Sequence, residues 1–280
     1  MFERWVAVDW SGSGTDSKRA SGLAVALWSA ERSELEFAHP QPRSRQEMTG
    51  WLAGKLSPTE PPTLIGLDFG FGYPAPAASV VFGAKGWRDL TFRIAELLER
   101  HGTAREVAGF LNSVPSFNGH GPFRLENRND HHFYVEHGVP YLRLTEQFAP
   151  QAISQWYLGP GAALGFSTIT GLACVGRLIK LQENGATDFA VFPFESPTQA
   201  RHVVAEIYPA LYPSAGTKEL RGHRHDAEKS VRWLHQHYRH KDALRLPSIP
   251  GFEADVIRHQ ACEEGWILGI GEPSYKPSRR

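Results

Sequence analysis

The chain has 280 residues, of which 41% are hydrophobic, enough to bury one large core or two modest ones. Thirty Lys and Arg residues balance thirty Asp and Glu residues, so no global charge steers the protein towards a polyanion or an acidic membrane surface. Any contact with nucleic acid must therefore be local. The two cysteines, Cys174 and Cys262, form no CxxC pair, which argues against a disulfide framework and a thiolate zinc site and favours a reducing cytoplasm.

A secretion signal is not predicted, because no basic segment followed by an apolar stretch opens the sequence. No charged residue lies between Glu146 and Arg177, which makes Leu158 to Ile179 the only candidate for a membrane span. Its glycines and polar residues make it less apolar than a usual span. We interpret it as a glycine-rich turn that leads into a buried helix, and we expect a cytoplasmic protein without a membrane partner.

The first third of the chain predicts four strands and two helices. Short runs rich in Val, Leu, Ile and Trp between turn residues predict the strands, at Trp5 to Trp10, Gly22 to Ser29, Leu35 to Ala38 and Thr63 to Phe69. The first two strands should form a hairpin across the turn at Ser11 to Asp16. Apolar residues at helical spacing predict the helices, at Ser44 to Leu56 and Leu90 to Arg100.

The rest of the chain begins with an irregular stretch rich in Pro and Gly from Asn112 to Asp130. Beyond it, helices are predicted at Leu172 to Gln182 and Ala227 to His237, and strands at Phe189 to Phe194, Val203 to Tyr208 and within Glu264 to Ile270. This order predicts one α/β domain over residues 1–280, with an insertion around 112–160. We expect a mixed sheet that begins with a hairpin and carries helices on both faces.

Three acidic residues stand within or just after runs that read as buried strands. Asp9 ends Val6-Ala-Val-Asp, Asp68 ends Leu64-Ile-Gly-Leu-Asp, and Glu206 interrupts Val203-Val-Ala-Glu-Ile-Tyr. A carboxylate removed from water is costly unless it is paired, hydrogen-bonded or bound to a cation. Each residue could lie at the wet edge of the sheet with its own basic partner. A shared solution is a carboxylate cluster that holds Mg²⁺ or Mn²⁺.

Two further acids could complete such a cluster. Asp226 stands just before the helix predicted at Ala227, where it could cap the helix, face the end of the sheet, or do both. Asp255 is a reserve candidate in a polar helical segment. Four carboxylates suit a site of one or two metals that activates water for attack on phosphorus. We therefore expect Asp9, Asp68, Glu206 and Asp226 to be the catalytic and metal-binding residues.

Several motifs, in this order along the chain, resemble the family called domain of unknown function 429. They are Val8-Asp9 with its Ser-Gly turn, Gly66-Leu-Asp68-Phe with Gly72-Tyr-Pro74, Glu206-Ile-Tyr-Pro209-Ala, His225-Asp226-Ala227 and Glu264-Gly-Trp-Ile. The resemblance implies a ribonuclease H-like fold and a nuclease that hydrolyses phosphodiester bonds of nucleic acid. It also implies that Asp9, Asp68, Glu206 and Asp226 are the acids of the site. Glu228-Lys229 departs from the small apolar residues usual after the last of these acids, so Asp255 stays open.

Two alternatives use the same residues differently. The segments Asp9-Trp-Ser-Gly-Ser-Gly-Thr15 and Asp68-Phe-Gly-Phe-Gly72 also resemble the phosphate-binding hairpins of sugar kinases and actin-like ATPases, which would make the protein a nucleotide-binding phosphotransferase. The other alternative is a non-catalytic binding domain. The histidines between His223 and His240 match no zinc spacing and are interpreted as solvated. The basic stretch Lys218, Arg221, Arg224 and Lys229 could contact a phosphate backbone or form a charged loop.

Overall fold

The computed structural model describes residues 1–20, 22–125, 132–149, 151–160, 164–213 and 221–272. Within them, a central sheet consists of six strands: β1 (Arg4–Asp9), β2 (Ala24–Ser29), β3 (Glu34–Phe37), β4 (Thr63–Asp68), β5 (Phe189–Phe192) and β6 (His202–Glu206). Their order across the sheet is β3-β2-β1-β4-β6-β5. The strands β1, β2 and β3 pair antiparallel, whereas β1, β4, β6 and β5 pair parallel. The predicted mixed α/β sheet is therefore confirmed.

The helices of the described residues are α1 (Arg45–Lys55), α2 (Ala77–Val80), α3 (Trp87–His101), α4 (Ala104–Asn112), α5 (His132–Glu136), α6 (Leu144–Gln147), α7 (Leu164–Glu183), α8 (His223–His237) and α9 (Ala254–Glu264). Local chemistry fixes the start of α1, because the side chain of Ser44 accepts a hydrogen bond from the backbone N–H of Glu47. The helix α8 begins four residues before the predicted start at Ala227. This difference decides where Asp226 lies.

Helices cover both faces of the sheet. On one face, Val6, Val8 and Ile65 pack in the same apolar cluster as residues of α1 and α7. On the other face, Trp5 and Ala7 pack in a cluster with α8. Successive residues of a strand point to opposite faces, so the position of a residue in its strand decides which helices it faces.

The helix α7 is the segment that sequence reasoning considered as a membrane span. By length and hydropathy it could cross a membrane, but 67% of its most apolar window is buried inside the protein. Its buried residues pack against the sheet and against α3. Residues 112–160, where an insertion is predicted, contribute α5 and α6 but no strand of the sheet in their described parts.

The last predicted strand is wrong. The helix α9 continues to Glu264, and the chain beyond it makes a single bridge, between Ile267 and Glu206. Gly265, Gly269 and Gly271 have φ values of 87°, 93° and 81°, a conformation that an extended strand does not contain. The apolar residues of this segment are buried, but its backbone forms turns rather than a strand.

Candidate functional site

Asp9 and Asp68 lie side by side at the carboxyl ends of neighbouring parallel strands. They are register partners in the pairing of β1 with β4, and adjacent strands are about 4.8 Å apart. In β1, Asp9 is on the same face as Trp5 and Ala7, and in β4, Asp68 is on the same face as Leu64. Both carboxylates therefore belong to the face that α8 covers. The structure thus brings these two predicted residues together.

The electrostatics of the pair show that its negative charge is poorly compensated. Burial raises the pKa of Asp9 from 3.8 to about 6, although the neighbouring His223 lowers it. Burial also raises the pKa of Asp68 well above its usual value, and the negative charges of Asp9, Asp226 and Glu206 raise it further, although Lys229 lowers it. Asp9 is only 6% exposed. A cation at this position would relieve the repulsion between the two carboxylates.

Asp226 contributes a third negative charge to this edge of the sheet. It is the fourth residue of α8, whose N-cap is Gly222, so it does not cap the helix as one hypothesis held. Its carboxylate forms an ion pair with Lys229 Nζ at 2.7 Å, and its side chain is 37% exposed. Its charge raises the pKa values of both Asp9 and Asp68. The structure therefore places Asp226 within electrostatic reach of the pair, with Lys229 as its present partner.

His223 is a site residue that sequence reasoning missed. Its Nδ1 lies 3.2 Å from both carboxylate oxygens of Asp9, and its side chain is 57% exposed. It begins α8, close to one turn before Asp226. The spacing of His223 and Asp226 would place both on one helical turn, but the sequence predicted that α8 begins only at Ala227, after both residues.

The other histidines of this region are not simply solvated, contrary to the interpretation of the sequence. His235 stacks on Trp28 with ring centroids 4.6 Å apart, and it meets Trp5 edge-on at 4.7 Å. His237 stacks on Trp233 at 4.7 Å. These rings extend the packing of α8 against the sheet. They are not positioned as ligands of the acidic pair.

Glu206 is not part of the pair. It is the register partner of Leu67 rather than of Asp68, so its side chain belongs to the opposite face of the sheet. Arg143 donates to both of its oxygens, from Nη1 to Oε2 at 2.8 Å and from Nη2 to Oε1 at 2.5 Å. The N–H of Phe71 donates to Oε2 at 2.9 Å. The observed contacts of Glu206 are those of a structural ion pair, the alternative that the sequence left open.

Arg143 is the centre of a buried network that the sequence did not reveal. It is fully buried and also donates from Nε to Glu146 Oε1 at 3.1 Å and from Nη1 to the carbonyl oxygen of Glu264 at 2.9 Å. The carboxylate of Glu264 accepts the N–H groups of Leu144 at 2.7 Å and Ala75 at 2.8 Å. These bonds tie β6, the segment after β4, α6 and the end of α9 together beneath the candidate site.

The reserve candidate Asp255 lies in the first turn of α9 and is exposed. Nothing in the described contacts links it to Asp9 or Asp68. Across the described ranges, no group of three or more His, Cys, Asp or Glu residues is close enough together to hold a metal ion. The candidate site is therefore a carboxylate pair with a third carboxylate on the first turn of a neighbouring helix.

Three of the glycines that suggested phosphate-binding hairpins, Gly12, Gly70 and Gly72, have packing roles, whereas Gly14 has a positive φ of 72° in an open turn. A Cβ atom at Gly12 would lie 2.1 Å from the backbone carbon of Phe166 in α7. A Cβ atom at Gly70 would lie 2.8 Å from Gln155, and one at Gly72 would lie 2.6 Å from the carbonyl oxygen of Glu264. Close backbone approach explains these residues without a bound phosphate.

Comparisons of the chain with protein-family models, curated proteins and solved structures gave no significant match. The resemblance to the family called domain of unknown function 429 therefore stays a prediction from the motifs. Of the acids in those motifs, Asp9 and Asp68 form the pair, whereas Glu206 and Glu264 belong to the network around Arg143. The assignment of the site depends on geometry and electrostatics alone.

Proposed function

We propose that this protein is a divalent-metal-dependent hydrolase of phosphodiester bonds in nucleic acid, built on a variant of the ribonuclease H-like fold. The fold proposal is supported by the strand order, in which three antiparallel strands lead into a parallel β4 beside β1. The observation that carries the function is the in-register pair Asp9 and Asp68, two neighbouring carboxyl groups at the carboxyl ends of two central strands.

The donor set matches Mg²⁺ or Mn²⁺, because hard divalent cations prefer carboxylate oxygens and Asp9 and Asp68 supply them from rigid strands. Asp226 adds an outer carboxylate from α8, and Lys229 fixes the orientation of that carboxylate. Bound there, the cation would supply Lewis-acid activation of water and of the phosphoryl oxygen. The covalent chemistry left to the protein is small.

The side chains of this chain do three things in the proposal. Asp9 and Asp68 bind and orient the cation at the edge of the sheet. His223, with Nδ1 3.2 Å from Asp9, can hold or transfer a proton beside the reacting phosphate. Arg143 holds Glu206 on the far face, and its network fixes the segment after Asp68, which keeps the pair in position.

The experiment compares the wild-type protein with Asp68→Asn and with the matched control Asp255→Asn, which alters an exposed carboxylate. Each is incubated with single-stranded, double-stranded and branched DNA and RNA. We expect cleavage in Mg²⁺ or Mn²⁺ by the wild-type protein and the control, none by Asp68→Asn, and none with chelator. Calorimetry should show Mn²⁺ binding weakened at least about tenfold in Asp68→Asn, since one of two inner carboxylates is lost.

The competing functions give different results in the same experiment. A phosphotransferase would bind ATP and transfer phosphate to a small acceptor. If no substrate is cut and ATP binds with micromolar affinity, the nuclease proposal is wrong. If neither Mn²⁺ nor ATP binds, the protein is better described as a non-catalytic binding domain.

A further inference from the structure

We propose that the cleft beside Asp9 is a binding groove for the sugar–phosphate backbone of a single nucleic-acid strand, held by Arg19, Arg43, Arg221 and Arg224. This inference rests on the proposed function, because it assigns the substrate class of the same site. The groove binds one strand, and it contacts the phosphates of that strand rather than its bases.

The cleft lies between two walls of different origin. Arg19, in the loop between β1 and β2, and Arg43, just before α1, form one wall, which is fixed by a hydrogen bond of 2.9 Å from Ala20 N–H to the carbonyl oxygen of Arg43. Arg221 and Arg224, at the start of α8, form the other wall. The cavity between them has a volume of about 530 Å³ and opens to solvent. Arginines on both walls of this concave surface can contact the phosphates of one strand that lies between them.

The described lining of the cleft contains four arginines and no acidic residue. All four arginines are exposed, and none of them forms a side-chain ion pair with a carboxylate of the residues that the structure describes. Arg224 lies over the ring of Phe37, 4.1 Å from its centroid, which orients the guanidinium without neutralising it. In contrast, the buried Arg45 nearby is paired with Asp16 at 2.8 Å. Guanidinium groups in this state are suited to phosphate, which they bind through two parallel hydrogen bonds.

The amino-terminal end of α8 adds to the positive potential. The helix has 15 residues, and its N-cap Gly222 supplies no side chain to its free N–H groups. The partial positive charge of such an end favours an anion in the cleft. Arg221 and Arg224 flank this end on either side of Gly222.

The cleft is connected to the acidic pair through His223. His223 is part of its lining and contacts Asp9, so a strand held by the arginines has one phosphate beside the proposed metal site. Gly22 permits this arrangement, because a Cβ atom there would lie 2.9 Å from Ser11 Cβ and 3.1 Å from His223 Cε1. The net charge of the whole chain is zero, so this patch is the local feature that nucleic-acid binding requires.

Binding is measured without cleavage, by fluorescence anisotropy of labelled single strands of DNA and RNA with the full-length protein in chelator. We expect log K to fall with log salt with a slope of about −3, since each phosphate contact to a single strand contributes about −0.7. Arg43→Gln and Arg221→Gln, one on each wall, should each weaken binding about five- to tenfold and reduce the slope by about 0.7. Arg258→Gln, which alters an exposed arginine of α9, is the control and should change neither quantity.

Three further arms separate the possible failures. Asp68→Asn should bind the strand normally while losing cleavage, so a failure of the catalytic proposal does not mimic a failure of the groove. Mn²⁺ binding by Arg43→Gln and Arg221→Gln should be unchanged, which excludes a general loss of folding. Equal affinity of the strand for wild-type protein and both arginine variants would overturn the inference. So would competition by inorganic phosphate, a mononucleotide or a duplex as effective as that of the unlabelled strand at equal phosphate concentration.

Discussion

Asp9 is a buried carboxyl group whose ionisation costs the folded protein stability. Its pKa is raised from 3.8 to about 6 mainly by burial, so the folded protein disfavours its ionised form. The cost is absent below pH 3.8, grows as the pH rises to about 6 and is constant above that. Without a cation, this group therefore makes the protein more stable as the pH falls from 6 to 4.

We predict that Asp9→Asn stabilises the protein in metal-free buffer near pH 7.5, by at most about 3 kcal/mol, the energy of the pKa shift. Urea unfolding of both proteins between pH 4 and pH 8 measures the difference, which should shrink towards zero near pH 4. Asp255→Asn is the control. If Asp9→Asn instead lowers the free energy of unfolding by several kcal/mol at pH 7.5, Asp9 is half of a structural ion pair with His223.

Arg143 is the opposite case, a residue whose charge the fold requires. Glu206 and Glu146 are buried with it, and burial raises the pKa of Glu146 although Arg143 opposes this. We predict that Arg143→Met costs about 3–5 kcal/mol, because it leaves buried carboxylates without a partner. Adding Glu206→Gln to this variant should recover part of the loss. Denaturant unfolding checks both expectations, and a cost below about 1 kcal/mol for Arg143→Met would show that the network is dispensable.

At the scale of elements, the sequence predicted the sheet well because its strands are apolar runs bounded by turn residues. The predicted positions of β1, β4 and β6 agree with the structure within a few residues. The prediction for the segment after Glu264 was wrong, because its apolar residues resemble those of a strand whereas its glycines adopt positive φ values. The helix α8 was predicted, but its polar first turn, His223 to Asp226, hides the start.

The site was predictable only in part, because the register between paired strands decides which side chains share a face, and the sequence does not show that register. Asp9 and Asp68 could be identified because each ends an apolar strand. Glu206 satisfies the same rule, but a shift of one residue in the pairing of β6 with β4 moves its side chain to the other face. Arg143 comes from an irregular segment 63 residues away from Glu206, and no periodicity marks it. Strand ends are visible in a sequence, whereas faces and distant partners are not.

The contact between the loop after β1 and α7 gives a prediction at this scale. Because a Cβ atom at Gly12 would lie 2.1 Å from the backbone of Phe166, we expect Gly12→Ala to push the loop from α7 and to destabilise the protein by about 1–3 kcal/mol. The matched control is Gly50→Ala in the interior of α1, where nothing lies within 4 Å of the new Cβ atom. It should stabilise by about 0.5–1 kcal/mol. Urea unfolding measures both, and equal effects would contradict the packing role of Gly12.

For the whole molecule, the proposed cation site would couple cation binding to the stability of the fold. The carboxylates come from β1, β4 and α8, elements that are distant in sequence and meet only in the folded chain. A cation that bridges them binds the folded state and not the unfolded one, and it stabilises the protein by mass action. The same binding removes the cost that the repulsion between Asp9 and Asp68 imposes.

We therefore predict that Mn²⁺ at one hundred times its dissociation constant raises the free energy of unfolding by about 2.7 kcal/mol, which corresponds to about 5 °C in melting temperature for a chain of this size. The shift should be largest above pH 6, where Asp9 is ionised, and small near pH 5, where a proton competes with the cation. It should be nearly absent in Asp68→Asn and unchanged in Asp255→Asn. Thermal unfolding at both pH values tests this, with Ca²⁺ as a second cation that binds carboxylates but holds reacting oxygens less strictly. A shift that is equal in Asp68→Asn and the wild-type protein would place the cation elsewhere and remove the basis for a metal centre at the ends of β1 and β4.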